Sequence, residues 1–301
     1  MYDLIIVGGG PAGLTAATYA RRAGKSVLVI EKNAFGGQIT WSPKVENFPG
    51  FTSVSGTELG DRLLEQAMNL GAEVELDEVT ALEMDAPVKR VFCGEAFYEG
   101  RAVILATGAR PRPLGVARET ELVGSGVCYC AVCDGAFYAG RPVAVCGGGN
   151  SALQDAMLLS ESCSSVTLIH RRSEFRGEQM LVEALRRRPN VRFLTETVVE
   201  ELVGENELRA VVVRKGGERL TLEVEGLFVA VGHQPDHAAF APWLELDRRG
   251  YADAGEDCLT PTPGLFVAGD CRSKAVRQLT TAAADGAVAA LAACAFVDAN
   301  T

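Results

Sequence analysis

Residues 2–13, YDLIIVGGGPAG, decide the fold. The run YDLIIV predicts a short buried parallel strand, and the glycines that follow it match G-x-G-x-x-G. A helical pattern continues over 14–23, and a second predicted strand, 26–30, leads to Glu31. Such glycines let the backbone approach a diphosphate at the helix N-terminus, while an acid at the tip of the second strand accepts hydrogen bonds from a ribose diol. The stretch therefore predicts a dinucleotide-binding unit.

The same plan recurs in the middle of the chain, where GGGNSA reads as G-x-G-x-x-A. The predicted strand, glycine loop, helix and second strand lie at 141–146, 147–152, 153–162 and 164–169. The spacing from Gly8 to Glu31 equals the spacing from Gly147 to His170. The chain thus contains two units of one kind.

The second unit differs at the tip of its second strand. The sequence there is His170-Arg171-Arg172, followed by Arg176, and no acid is present. A carboxylate would repel a 2′-phosphate, whereas guanidinium groups pair with one in a bidentate geometry. We therefore predict that the first unit binds an adenosine ribose and the second binds NADP. A solvated basic turn is the alternative interpretation of the two adjacent arginines.

Later segments complete the two halves. Predicted strands at 102–107 and 227–231 each lead to a glycine, and TPTPGLFVAGD ends a buried strand at Gly269-Asp270. An Asp at this position can reach the ribitol or diphosphate region of a flavin, although a helix cap is the alternative role. The predicted fold is α/β, with two Rossmann-like, three-layer domains built on parallel sheets. The NADPH-binding domain, 115–245, is inserted in an FAD-binding domain formed by 1–114 and 246–301.

Charge and hydropathy restrict the classes of partner. The net charge of −10 disfavours nucleic acid, because phosphate binding needs a basic face. The N-terminus lacks the pattern of a signal peptide, and the apolar stretch 287–297 is shorter than the ~20 residues that span a bilayer. These features predict a soluble, cytoplasmic protein that binds neither nucleic acid nor membrane.

The clustered cysteines lie just before the second unit, in CYCAVCDG. Cys130 and Cys133 have the spacing of a redox-active pair in which a thiolate is the nucleophile. Asp134 follows directly and can exchange a proton if its pKa is raised by burial or by a thiolate. Zinc binding with Cys128 is an alternative, but a fourth ligand is lacking. The cluster is also compatible with inert buried cysteines, or with a flavin dithiol oxidase that does not use NADPH.

Over nearly its whole length the chain resembles bacterial low-molecular-weight thioredoxin reductases, which are NADPH-dependent, FAD-containing class II pyridine nucleotide-disulfide oxidoreductases. The resemblance rests on short stretches in a characteristic order. These are GGGPAGL (8–14), GGQIT (36–40), VENFPG (45–50), ATGARPR (106–112), CAVCDGAF (130–137), GGGNSA (147–152), HRRSEFR (170–176), VGHQPD (231–236), LFVAGD (265–270) and RQLTTAAADG (277–286).

The resemblance implies roles for individual residues. Cys133 would face the flavin, Cys130 would attack the partner disulfide, and Asp134 would be the acid. The predicted FAD-binding residues are Gly8, Gly10, Pro11, Ala12, Gly13, Glu31, Lys32, Gly37, Gln38, Asn47, Val79, Thr107, Gly108, Asp270, Arg277 and Gln278. The predicted NADPH-binding residues are Gly147, Gly149, Asn150, Ser151, Ala152, His170, Arg171, Arg172 and Arg176.

The implied activity is that of a thioredoxin-disulfide reductase working as a homodimer. Electrons would pass from NADPH through FAD and the Cys130–Cys133 disulfide to thioredoxin or a thioredoxin-like protein. The reduction of another disulfide substrate is the alternative. Two departures from the family pattern bear on this. Cys128 stands where a small polar residue is usual, and Ser125 stands where many members have an Arg.

Overall fold

The computed structural model describes residues 1–42 and 44–300. The chain forms two compact units, one made of Met1–Arg110 and Gln234–Thr301 and the other of Pro111–His233. The second unit is thus inserted in the first. The boundaries predicted from the sequence, after residues 114 and 245, lie on the C-terminal side of both crossings. The assignment of one dinucleotide to each domain stays a prediction.

Helices and strands alternate along most of the chain. The α-helices are α1 (Pro11–Arg22), α2 (Gly56–Asn69), α3 (Ala131–Asp134), α4 (Asn150–Leu159), α5 (Gln179–Arg186) and α6 (Leu279–Ala299). The strands are β1 (Tyr2–Val7), β2 (Val27–Glu31), β3 (Glu73–Leu76), β4 (Ala81–Glu83), β5 (Lys89–Cys93), β6 (Ala96–Leu105), β7 (Ala109–Pro111), β8 (Val127–Cys128), β9 (Pro142–Gly147), β10 (Ser165–Ile169), β11 (Val191–Leu194), β12 (Thr197–Val203), β13 (Ala210–Lys215), β14 (Glu218–Glu223), β15 (Gly226–Ala230), β16 (His233–Pro235) and β17 (Leu265–Val267).

The sheet of the first unit has the order β3-β2-β1-β6-β5-β4, and β17 also pairs with β6. Its central pairs are parallel, whereas β4, β5 and β6 pair antiparallel. Side chains of β1 alternate between two cores because successive residues point to opposite faces. Leu4 and Ile6 pack on the side of α1 and α6, while Ile5 and Val7 pack on the other side.

Helix α6 is longer than its most apolar stretch suggests. It extends over Leu279–Ala299 and is long and apolar enough, by length and composition alone, to cross a membrane. The sequence-based statement that this segment is too short therefore does not hold for the helix as formed. However, Ala289, Ala290 and Ala293 are fully buried in the core that α1 and the sheet share. Gly286 permits this packing, since a Cβ there would lie 2.1 Å from the Ala12 carbonyl oxygen. We interpret α6 as a core helix.

The inserted unit is also a three-layer structure. Its five-stranded sheet, β11-β10-β9-β15-β8, is parallel at every pair. Helices α4 and α5 cover one face through Leu153, Leu159 and Leu185. The antiparallel sheet β12-β13-β14 contributes Val211 and Val213 to the core on the other face. The predicted fold class, two Rossmann-like α/β domains, is confirmed.

Candidate active site

The first glycine loop joins β1 to α1. Gly8 has a φ of 111°, and a Cβ on it would lie 2.3 Å from the Ala106 carbonyl oxygen, so this position requires glycine. Gly10 is the N-cap of α1 and lacks a side-chain cap, and Pro11 is the first helical residue. The helix N-terminus is therefore left without an intramolecular acceptor from a capping side chain, as an anion-binding loop requires.

Glu31 lies at the end of β2, beside this loop. Its Oε2 accepts a hydrogen bond from the Gly9 amide at 2.7 Å, and its Oε1 accepts one from the Asn33 amide at 2.9 Å. The carboxylate thus holds the glycine loop in place. Each oxygen keeps a second lone pair that a ribose hydroxyl can use.

A second loop lies against the first. Gly37 approaches Gly10 closely, because a Cβ on Gly37 would lie 3.1 Å from the Gly10 Cα. The next residue, Gln38, donates from Nε2 to the Ala109 carbonyl oxygen at 2.8 Å. These contacts bring three predicted FAD-binding residues into one crevice at the carboxyl ends of β1 and β6, where ligands bind in open parallel sheets.

Two polar atoms in this crevice have no partner within the described part of the chain. They are Thr107 Oγ1, which follows β6, and Asp270 Oδ1, which follows β17; both are buried. Burial raises the pKa of Asp270, which Lys274 and Arg277 oppose. A buried polar atom without a hydrogen bond is costly, so the crevice fits a polar ligand that supplies the missing partners.

The remaining predicted FAD-binding residues occupy several environments. Arg277 donates from Nε to the Asp270 carbonyl oxygen at 3.3 Å and lies over the Tyr251 ring. Gln278 caps α6, and its Oε1 lies 3.4 Å from Asn47 Nδ2. The other positions are within the loop and helix or beside them: Ala12 and Gly13 in α1, Gly108 after β6, Val79 in the core, and Lys32, which pairs with Glu78 and Asp236.

The second glycine loop joins β9 to α4 in the inserted unit. Gly147 cannot carry a side chain, because a Cβ would lie 2.4 Å from the Ala230 carbonyl oxygen. Gly149 is the N-cap of α4 and again has no side-chain cap. Asn150 exchanges two hydrogen bonds with Glu178, while Ser151 is exposed and Ala152 is fully buried. The loop has the geometry of the first one.

His170 and the three arginines differ in exposure. His170 is buried, and its ring lies under Gly148, where a Cβ would be 2.1 Å from Cε1. Its Nε2 donates to the Glu174 carbonyl oxygen at 3.0 Å, and burial lowers its pKa. Arg171, Arg172 and Arg176 are all exposed, and none forms a salt bridge within residues 1–42 and 44–300. Their guanidinium groups are available to a phosphate.

The redox pair lies at the start of α3. Cys130 and Cys133 are joined by a disulfide, their Cα atoms lie 5.3 Å apart, and both residues are half-buried. Cys130 is the N-cap of α3, and its Sγ accepts a hydrogen bond from the Cys133 amide at 3.2 Å. The short helix is held against α4, since a Cβ on Gly135 would lie 3.0 Å from Leu159 Cδ2.

Asp134 meets the condition for a proton carrier. Burial raises its pKa to about 6, and a hydrogen bond with the Cys128 thiol opposes the increase. Its Oδ1 is buried and has no partner among the described residues. Cys128 itself is buried, and its Sγ lies 3.4 Å from Tyr138 Oη. Burial raises the pKa of Cys128 to about 12, so this thiol stays protonated at neutral pH.

Residues 2–286 match the family described as pyridine nucleotide-disulphide oxidoreductase. The chain belongs to this family. It is 42% identical to a thioredoxin reductase of Mycolicibacterium smegmatis over 97% of this chain and 95% of the relative. It is 41% identical to one of Listeria innocua over 96% and 92%. A crystal structure of thioredoxin reductase from Streptococcus pyogenes superposes with a TM-score of 0.93, at 36% identity and over 99% of each chain.

The resemblance inferred from the motifs is thereby confirmed, as is the prediction of an oxidoreductase. Membership of the family implies a flavin and a pyridine nucleotide. It also bears on the zinc alternative: Cys130 and Cys133 are joined to each other, and no group of three metal-ligating residues occurs within residues 1–42 and 44–300.

Sequence reasoning missed three features of the site of this family member. Val132, between the two cysteines, has 57% of its surface exposed, whereas Phe137 packs against the core of the inserted unit. Asp155 on α4 has a pKa raised to about 7 by burial alone. Asp285 is a buried acid in α6. An acid in an otherwise apolar helical run was the available sequence signal for it.

Proposed function

We propose that this protein is a thioredoxin-disulfide reductase that uses NADPH and FAD and acts on thioredoxin or a thioredoxin-like protein. The observation that carries the proposal is the half-buried Cys130–Cys133 disulfide beside Asp134, whose pKa is raised to about 6. The chain places this group on a fold with two dinucleotide-type glycine loops. A protein disulfide is the substrate class that such an arrangement reduces.

The crevice of the first unit is the proposed FAD site. Gly8, Gly10 and Glu31 would receive the adenosine diphosphate portion, and Thr107 and Asp270 would donate to or accept from the remaining polar groups. When bound, the flavin supplies a two-electron carrier between the pyridine nucleotide and the disulfide. All positions predicted to bind FAD remain proposals at the level of single residues.

The inserted unit is the proposed NADPH site. Arg171, Arg172 and Arg176 are exposed and without acidic partners among the described residues, which suits them to a 2′-phosphate. The solvated basic turn is the alternative, and the coenzyme preference decides between the two. Strong preference for NADPH would also exclude an oxidase that does not use this coenzyme.

The two sulfur atoms of the disulfide differ in environment. Cys130 Sγ accepts the Cys133 amide, and such a hydrogen bond favours the thiolate at this sulfur once the disulfide is reduced. We therefore assign the attack on the partner disulfide to Cys130. Cys133 would then displace the partner from the mixed disulfide, so that one bond forms between Cys130 and Cys133 while the partner leaves as a dithiol.

Asp134 is the proposed proton carrier. The first thiolate released from each disulfide must be protonated, and a carboxyl with a pKa of about 6 is an acid strong enough to deliver that proton near neutral pH. Its adjacency to Cys133 in the chain and its burial support the role.

Homodimer formation and cytoplasmic localisation belong to the same proposal. The exposed face of α6 includes Val288 and Leu291, whose surfaces are 38% and 55% exposed. An apolar face of this kind is covered in an oligomer more often than in a monomer. Light scattering of the purified protein tests the dimer, and a mass of one chain at micromolar concentration would contradict it.

An anaerobic titration tests the function. The yellow protein should be reduced by NADPH and reoxidised by added thioredoxin. Cys130→Ser should leave the Cys133 thiolate beside the flavin and produce a long-wavelength charge-transfer absorbance, whereas Cys133→Ser should lack that band and trap thioredoxin as a mixed disulfide. A band that follows Cys130 instead would reverse the two assignments. A protein that remains reduced after thioredoxin is added would contradict the partner class.

A further inference from the structure

Asp285 is a buried carboxylate in the otherwise apolar helix α6, and it accepts hydrogen bonds from three residues. Oδ2 accepts from the Gly269 amide at 3.0 Å, Arg272 Nε at 2.8 Å and Lys274 Nζ at 2.8 Å. Oδ1 accepts from Arg272 Nη2 at 2.9 Å. The side chains of Arg272, Lys274 and Asp285 are only 3%, 5% and 8% exposed. The group is therefore a buried ionic cluster with nearly ideal geometry.

Stability alone is a poor explanation for such a cluster. Removing three charged groups from water is costly, and a buried ion pair often adds no more stability than apolar residues of the same volume. What the cluster does achieve is a specific connection. It ties the turn after β17, at Gly269, to the middle of α6, and a Cβ on Gly269 would also lie 2.8 Å from Ala12 Cβ of the first glycine loop helix.

The turn held in this way carries Asp270. Arg277 donates to the Asp270 carbonyl oxygen at 3.3 Å and to the Arg272 carbonyl oxygen at 3.2 Å, so the backbone on both sides of Asp270 is fixed. The carboxylate of Asp270 is left open by contrast, since its buried Oδ1 has no partner among the described residues. A rigid backbone with one unpaired buried oxygen is the arrangement of a preorganised ligand contact.

We propose that Asp285 is a positioning residue for the flavin: with Arg272 and Lys274 it holds the Gly269–Asp270 turn in the conformation that receives the cofactor. The inference rests on the proposed function, because it takes FAD as the ligand of this turn. Asp285 does not touch the flavin in this role and acts through the backbone of Gly269.

The test compares FAD binding by the apoproteins of three variants with that of the wild type. Asp285→Asn keeps the size of the side chain but loses the charge, and the FAD Kd should rise about tenfold to a hundredfold, the equivalent of one charged hydrogen bond. Lys274→Met removes a single donor, and a smaller rise of about threefold to tenfold is expected. Glu256→Gln is the matched control, because Glu256 also pairs with Arg272 but is 95% exposed; its Kd should equal that of the wild type.

Hydrogen exchange provides the readout that a merely structural role would not move selectively. In folded Asp285→Asn apoprotein, the Gly269 amide should exchange faster while amides of β1 keep their protection. An unchanged FAD Kd in Asp285→Asn, or in Lys274→Met if the first variant does not fold, would overturn the proposal. So would a weakened Kd accompanied by uniform loss of protection. Wild-type apoprotein that fails to bind FAD would instead contradict the proposed function.

Discussion

The raised pKa of Asp134 predicts that this carboxylate destabilises the protein in a pH-dependent way. A group whose pKa is raised from 3.8 to about 6 binds its proton more tightly in the folded state. The cost of the charged form is fully present above pH 6 and disappears as pH falls towards 3.8. The shift corresponds to about 3 kcal/mol at pH 8 and about 1.6 kcal/mol at pH 5.

Asp134→Asn removes that dependence. The free energy of unfolding of the variant minus that of the wild type should therefore be about 1.4 kcal/mol larger at pH 8 than at pH 5. The constant effect of an Asn amide cancels in this comparison, as do all groups that titrate equally in both proteins. Urea unfolding at a series of pH values measures the difference. Turnover should fall by about 10²-fold to 10⁴-fold, the usual contribution of a general acid.

Asp155→Asn is the matched control in the same unit, since burial alone raises the pKa of Asp155 to about 7. It should show a stability difference of the same sign with turnover retained. A difference for Asp134→Asn that does not change between pH 5 and pH 8 would show that Asp134 titrates normally and would remove the basis for its role as an acid.

Three more substitutions probe the coenzyme site, the thiol beside Asp134 and a buried histidine. Replacing both Arg171 and Arg172 by Ala should raise the KM for NADPH far more than the KM for NADH, at about 1.5–3 kcal/mol for each charged contact before solvent screening; equal changes would mean that neither reads the phosphate. Cys128→Ala should move the acidic pKa in the pH profile of turnover upward, because it removes a hydrogen bond that lowers the pKa of Asp134, whereas Cys128→Ser should retain most activity; profiles that coincide with the wild type would exclude this link. His237 is buried and donates to the Cys271 carbonyl oxygen at 2.8 Å, and burial lowers its pKa, so stability should fall as pH drops below 6.5; His237→Gln should flatten that part of the unfolding curve, and an unaltered curve would refute it.

Local sequence alone was sufficient for the two dinucleotide-type units. A strand, a glycine turn and a helix impose their own geometry through hydrophobic periodicity and through positive φ at Gly8, and none of this needs distant residues. Boundaries were less accurate: the strand predicted at 102–107 forms as β6 over Ala96–Leu105. Its first residues are ordered by antiparallel pairing with β5, a contact that no local pattern indicates.

Tertiary structure decided the charges and the exposures. The spacing of Cys130 and Cys133 predicted a redox pair, but whether Asp134 could hold a proton depended on burial, which only packing sets. The same holds for Asp285, because its partners come from a different element brought beside α6 by the fold. Short-range patterns determine which elements form, whereas solvent exclusion and the approach of distant segments determine the chemistry of each side chain.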